Sequence, residues 1–548
     1  MSATHVFRCE ELAMEIFSHL APGPLRKTDT PQYRYHRAQR RTALARAARV
    51  CRAWEVPALN VLWKVVDEIF DLLLILPSMT IFDSVCVFSR DITPAEWERF
   101  QQYAIRVREL HWQAPPTDPR LREVEPESPS ISQTVWLIFS KWCQGRALCP
   151  RLQYLAPLLI SSLDPGPVIL ASPTLRHLEI TTDVTGLRTS QDYETKSLFS
   201  HLAPAFASLE SLVVDSQIVM HGFTGALAPP ASGVALLHLD NLNSLKHLEI
   251  DSIHLPVSDD PVRALEAMGL HSLTLTIEEY DDELFPIDSN SPLRNTLRKL
   301  CVKGDPHGVV KMVDYAAGPA LEILDVRLSA LEHVPLTDIP GMFEKIAAHI
   351  SLRVHHISLG LSYDRNASGE HLAARHFLHP LLPKAHLTHI ALLYDHAYGS
   401  FSHKDLVRVI NAWPKLSVFR IEDTLSQHFQ DGGVHTAPRI ADLARFAKRH
   451  PELRYLVIPT LNHHLLPPVG KIPKLDHKLE ILRVCTLNEH LNYASLFNIA
   501  LLLDRLFPEL DLCVSRSGGT VLRREPSWVK VEQTLLALQS GREGAHRS

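Results

Sequence analysis

A short pattern, L-x-x-L-x-[I/L/V], recurs in one phase along most of this chain and limits what the chain can fold into. Its clear copies are Leu175-Leu178-Ile180, Leu209-Leu212-Val214, Leu245-Leu248-Ile250, Leu270-Leu273-Leu275, Leu297-Leu300-Val302 and Leu321-Leu324-Val326. They continue as Val354-Ile357-Leu359, Leu387-Ile390-Leu392, Leu416-Phe419-Ile421, Leu453-Leu456-Ile458 and Leu479-Leu482-Val484. Val107-Leu110-Trp112 reads as a first copy, Pro157 interrupts Leu152-Leu155, and Leu510, Leu512 and Val514 form an off-register last one. Each copy is short enough for one strand, and helical patterns lie between copies. Alternating strand and helix at this period predicts right-handed crossovers and a parallel sheet built of stacked units.

The intervening helices carry their own start signals. Thr93-Pro94-Ala95-Glu96 combines an N-cap, a proline at the first helical position and the glutamate of a capping box. Asp260-Pro261 and Asp305-Pro306 place a capping side chain before proline in the same way. Helices are expected over 261–268, 309–316, 342–349, 404–412, 440–449 and 493–506.

Side chains alternate across a strand, so when the anchors point into the core the residues between them line the open face. One such row is His177, Ser211, His247, Ser272, Lys299, His356, His389 and Tyr455. Its neighbour is Glu179, Val213, Glu249, Thr274, Cys301, Asp325, Ser358, Arg420 and Arg483. Asp215 and Asp251 make the early face acidic, whereas Lys303 and Arg327 make the later face mixed or basic. His177, Glu179, Asp215, His247, Glu249, Asp251, Lys299, His356, His389 and Arg420 are therefore the candidate substrate-binding residues. A partner carrying both signs of charge suits that face better than a polyanion.

The repeat spacing is irregular, roughly 23 to 45 residues against the 20–29 of regular leucine-rich repeats. In this, and in mostly lacking the asparagine of the regular motif, the array resembles the degenerate repeats of the F-box/leucine-rich family. The first residues resemble that family too. Glu11-Leu12-Ala13-Met14-Glu15-Ile16-Phe17-Ser18-His19-Leu20, then Val50-Cys51-Arg52-Ala53-Trp54, then Leu62-Trp63, follow the order and residue types of an F-box. Its opening has Glu10 where the family usually has proline, and the connection from Pro22 to Arg41, expected to be a loop, is longer than usual. Periodicity places a first helix on Leu12, Ile16, Phe17 and Leu20. A second carries Leu44, Ala47, Val50, Cys51 and Trp54 and ends at Pro57, and a short third piece carries Leu59, Leu62 and Trp63.

The fold class expected is thus α/β: a small N-terminal three-helix F-box-like module (5–65), a helical connector or cap (66–106), a leucine-rich-repeat-like solenoid with parallel strands and outer helices (107–515), and a C-terminal tail with a short helix (516–548). The resemblance implies a substrate-recognition subunit of an SCF-type, cullin-RING ubiquitin ligase. The module would dock on a Skp-type adaptor through Leu12, Ile16, Phe17, Leu20, Val50, Trp54, Leu62 and Trp63, and the solenoid would bind a protein substrate. The alternative is a non-catalytic repeat scaffold in which the helices cap the first repeat.

Composition narrows the remaining classes. A net charge of -5 argues against a general nucleic-acid partner. Arg34, Arg37, Arg40, Arg41, Arg46, Arg49 and Arg52 do form a run without an acid until Glu55, read as a solvated loop and helix face. The eight cysteines include no C-x-x-C and read as reduced thiols of a cytoplasmic or nuclear protein. The apolar stretches 69–76 and 499–506 are shorter than the ~20 residues a bilayer requires, so no membrane is expected. Phosphate-binding, nucleophile-elbow and H-E-x-x-H motifs are absent. His386-x-x-His389, His355-His356 and His463-His464 lack the Cys or carboxylate partners of a zinc site. No enzyme activity, metal or cofactor is expected.

Overall fold

The alternation of anchors becomes an in-register ladder of parallel strands. A computed structural model describes residues 9–23, 31–111, 130–160, 169–183, 206–217, 242, 244–254, 265–279, 291–329, 334–335, 337–361, 374–394, 401–423, 436–463, 466–487, 491–510 and 526–547. The chain divides into two units, Met1–Leu270 and His271–Ser548.

The first unit opens with three helices, α1 (Glu10–Ser18), α2 (Pro31–Ala47) and α3 (Arg52–Leu62). Their boundaries correct two sequence expectations. Residues 31–41, expected as loop, belong to α2, and the apolar run through Leu44 and Trp54 is two helices broken at 48–51. At the break Arg49 and Val50 donate back to Arg46 and Ala47, and Cys51 is fully extended. Pro57 does not end a helix but lies inside α3, where it forgoes one main-chain bond and is itself buried. Ala13, Phe17, Leu44, Ala58 and Val61 form the core, with Leu20, Trp54 and Leu62 packed on its margin. Phe17 and Trp54 meet edge to face at 5.5 Å.

Two arginines depart from the expected solvated face. Arg37 is 5% exposed and donates to Gly23 O and, at 2.6 Å, to Asp67 Oδ1. Arg41 approaches the same carboxylate at 3.5 Å and Asp71 at 3.7 Å. Asp67 follows the strand Val65–Val66, so this buried pair fastens α2 to the start of the sheet. Arg34, Arg40, Arg46, Arg49 and Arg52 are exposed as expected.

The connector is less helical than its pattern. After the helix Ile69–Leu73 comes an antiparallel hairpin, Met79–Phe82 with Val85–Phe88, turned through Asp83 and Ser84 at positive φ. The helix Pro94–Ala104 follows, with the expected Thr93/Glu96 capping box formed. The parallel ladder also begins earlier than residue 107, because Val65–Val66 pairs with Glu109–His111.

Within the first unit the ladder continues through Tyr154–Ile160, His177–Asp183, Ser211–Gln217 and His247–His254, all parallel. Leu155, Leu178, Leu212 and Leu248 are in register, as are Ile180, Val214 and Ile250. The interrupted copy at Pro157 survives as a strand with a register shift between Leu155 and Leu158.

The second unit runs Ser272–Glu279, Lys299–Gly304, Ile323–Leu328, His356–Leu361, His389–Tyr394, Val418–Asp423, Tyr455–Thr460 and Ile481–Thr486, each parallel to the next. Leu273, Leu300, Leu324, Ile357, Ile390, Phe419, Leu456 and Leu482 form one register row. Every one is buried. The same main-chain device opens strand after strand: one carbonyl accepts two successive N–H groups of the next strand. Arg298 O takes Glu322 N and Ile323 N at 2.8 and 3.0 Å, and His355 O, Thr388 O and Ser417 O each repeat the arrangement. It satisfies amides that would otherwise be left unpaired at each entry. Gly304 permits the exit from its strand, since at φ +121° a Cβ would stand 1.7 Å from Ile277 O.

The helices Pro306–Ala316, Ile339–Ala348, His403–Ala412, Ile440–Arg449 and Tyr493–Leu506 lie where the periodicity placed them, some starting up to three residues earlier. Asp305 caps the first by accepting from Gly308 N. The helix expected at 261–268 is described only from residue 265, and Leu512 and Val514 of the last copy lie outside the described residues. The C-terminal helix is long rather than short, Pro526–Arg547. It buries Trp528, Val531 and Leu535, and Gln539 and Arg542 donate to the carbonyls of Pro508 and Leu510 that follow Tyr493–Leu506. It thus covers the apolar end that a terminal repeat would leave open.

Truncating an anchor removes side-chain contacts on all sides. Leu324→Ala is expected to cost about 2–5 kcal/mol of unfolding free energy in urea titrations. Lys299→Ala, between anchors, should change it by less than about 0.5 kcal/mol.

Candidate interaction surfaces

The sequence-predicted docking residues of the helical module separate into two groups. Leu12, Ile16 and Val50 are 42%, 48% and 65% exposed. Phe17 is 5% exposed and belongs to the core, with Leu20, Trp54 and Leu62 half-buried against it. Trp63 is half-buried and meets Tyr103 edge to face at 5.1 Å. The helical spacing that marked an apolar face could not tell these groups apart, because α1 is apolar on more of its circumference than its neighbours cover. Exposed Val56 adds to the apolar surface of the module.

In the first unit the residues between anchors bring two rings together. His177 lies in register with Tyr154 on one side and Ser211 on the other. Its ring stacks on Tyr154 at 4.3 Å, and Nδ1 is 2.9 Å from Ser211 Oγ. Burial, then the charges of His111 and His247, hold the His177 pKa below the usual imidazole value. His247 and Glu249 are exposed, whereas His177 and Glu179 are half-buried, less open than side chains on an uncovered sheet face would be. Asp215 and Asp251 are in register with each other, and their side chains lie outside the described residues.

The second unit carries the mixed face. Lys299 is exposed, and His356 stacks on in-register His389 at 5.3 Å with rings parallel to within 4°. Burial first, and then neighbouring imidazoles, lower the pKa of both. Cys301 is beside Asp325, and burial foremost pushes its thiol up to about 11, so it is a protonated and unreactive cysteine at neutral pH. Arg420 is half-buried and bonds Glu422, which Arg483 also approaches. The near-complete burial of Glu422 has no sequence signal: it follows an anchor in the same alternation that exposes Arg327.

Among the described residues no group of three or more His, Cys, Asp or Glu is placed to hold an ion. His386 bonds Ser351 O instead. Nor is any helix among them long and apolar enough to cross a membrane. The sequence matches no known family model and no curated protein.

Two further histidines bond main-chain carbonyls in the interior. Fully buried His450 bonds Phe446 O at 2.9 Å, and buried His477 bonds His450 O at 2.8 Å. Burial lowers the pKa of both. An unfolded chain takes up these protons near pH ~6.5, and the folded chain only at lower pH. The stability they contribute is therefore full above that value and is lost as pH falls through it. Melting temperature is expected to drop between pH 7.5 and 5.5, and to drop less in His477→Gln, measured by calorimetry.

Proposed function

We propose that the protein is the substrate-recognition subunit of an SCF-type, cullin-RING ubiquitin ligase. The α1–α3 module docks on a Skp-type adaptor, and the parallel-strand array, read as a leucine-rich-repeat-like solenoid, captures the substrate protein between its anchors. The observation that carries this reading is the exposure of Leu12, Ile16 and Val50 at positions that match the F-box pattern, beside a Phe17 buried in the module's own core. Exposed apolar side chains on a small folded module favour a protein partner that covers them. Such a subunit carries out no chemistry itself. It raises the effective concentration of substrate lysines at a charged conjugating enzyme.

A second reading is favoured by the buried Arg37–Asp67 pair, which fastens α2 to the first strand. In that reading the module caps the array and the protein is an interaction scaffold without a ligase. The two readings separate on one variant. Leu12→Ala/Ile16→Ala leaves the core intact and is expected to lose co-purification with a Skp-type adaptor while the melting temperature is unchanged. Phe17→Ala, by contrast, should destabilise the module by about 3–5 kcal/mol. Full adaptor recovery by the double variant, or no adaptor recovery by the wild-type chain, supports the scaffold.

A further inference from the structure

Arg420 and Arg483 occupy equivalent positions between anchors, two strands apart, with Val457 in register between them. Strand spacing sets their Cα atoms about 10 Å from each other. Val457 stands at an open-face position yet is inaccessible to solvent, so its flanking side chains close over it. Beneath the two guanidinium groups lies Glu422, 1% exposed, two residues beyond Arg420 and on the same side of the strand. Arg420 Nη2 is 2.5 Å from Glu422 Oε2, and Arg483 Nη1 is 3.6 Å from Oε1.

The charge on this group does not balance. Among the described residues two arginines, neither of which can lose its proton, face one carboxylate, leaving one excess positive charge. That excess is largely out of water, because the side chains of Arg420 and Arg483 are 32% and 21% exposed. Among the described residues no acceptor lies within reach of the buried Arg420 Nε. The Arg483 approach is an ion pair too long for a hydrogen bond, so the planar fork of that side chain keeps its donors uncommitted among the described residues. Partly desolvated charge without a partner is costly, and a second carboxylate shared between the forks removes that cost.

We infer that Arg420 and Arg483, held over buried Glu422, bind a single carboxylate side chain of a protein partner. The inference rests on the substrate-recognition reading and names the chemistry of one contact within it. One excess charge matches one carboxylate. A nucleic acid, by comparison, needs a track of cations along its backbone. The register row here reads Cys301, Asp325, Ser358, Ala391, Arg420, Val457, Arg483, with its cations confined to one end and an acid near the other. Glu422 then acts as an internal competitor that sets the affinity and keeps both forks oriented while the site is empty.

The test uses the full chain without any adaptor, so its outcome is separate from that of the docking experiment. Fluorescein-labelled tetraglutamate is titrated and read by anisotropy, with tetraglutamine and a 12-nucleotide oligouridylate as comparison probes. Wild type is expected to prefer tetraglutamate to both. Arg483→Gln should weaken that binding about tenfold or more, and Arg483→Lys by less, since it keeps the charge and loses the fork. Lys448→Gln, which removes an exposed charge on the helix Ile440–Arg449, should bind as wild type does. Glu422→Gln should bind tetraglutamate more tightly, a gain that a purely structural triad would not produce. Melting curves of each variant establish that it is folded, and Arg420→Gln serves in place of Arg483→Gln if the latter is not. Equal binding by wild type and both glutamine variants of the arginines, no gain in Glu422→Gln, or preference for oligouridylate overturns the inference.

Discussion

The structure depends on strands that stack parallel and in register. A single strand–helix unit of this chain cannot bury its own apolar face; only stacking gives each anchor neighbours above and below. The register is set twice over. Anchors such as Leu300, Leu324 and Ile357 enclose one another in a continuous row. Carbonyls such as Arg298 O and His355 O, each taking two N–H groups of the next strand, repeat the same entry geometry regardless of the side chains involved. A slip of one residue would turn every anchor outward. That penalty explains how the chain tolerates irregular spacing between copies: the crossover varies in length while the entry and the anchors do not.

This is also why so much of the array was legible in the sequence. Anchor identity is dictated by burial, and burial repeats. The helices 440–449 and 493–506 were legible for the related reason that amphipathic spacing and caps are local. What escaped is non-local or mixed in character. Arg37 reads as one more cation in a basic run, and only the fold brings Asp67, thirty residues on, to its side chain. The break at 48–51 hides inside a run whose apolar spacing continues through it. The hairpin at 79–88 needs a turn at Asp83 and Ser84 that lacks the usual glycine. On the candidate surfaces the sequence placed His177, Glu179, Lys299, His356, His389 and Arg420 on the intervening side of their strands but not how far neighbours cover them. It likewise grouped Phe17 with Ile16, although one is core and the other surface.

The two ends of the array are treated differently. At the start, α2 is joined through a buried ion pair, whose partners are costly to separate and which fixes orientation more than it stabilises. At the end, Pro526–Arg547 covers the final helix with Trp528, Val531 and Leu535 and takes up carbonyls at 508 and 510. Between them the intervening positions are released from core demands. They carry stacked imidazoles, carboxylates and guanidinium groups, side chains suited to selective rather than tight non-specific binding. The proposed recognition role would use that combination: a ladder with variable chemistry displayed on one side of it.

Thiol labelling along two adjacent strands tests the ladder most directly. In a chain whose native cysteines are replaced by serine, single cysteines are introduced at 299, 300, 302 and 303 and at each position of 323–327, and their reaction rates with a maleimide are measured under native conditions. The account predicts rates that alternate with a period of two and in the same phase on both strands, fast at 299, 303, 323, 325 and 327 and slow at 300, 302, 324 and 326. Alternation out of phase between the two strands, or a period near 3.6, would contradict it.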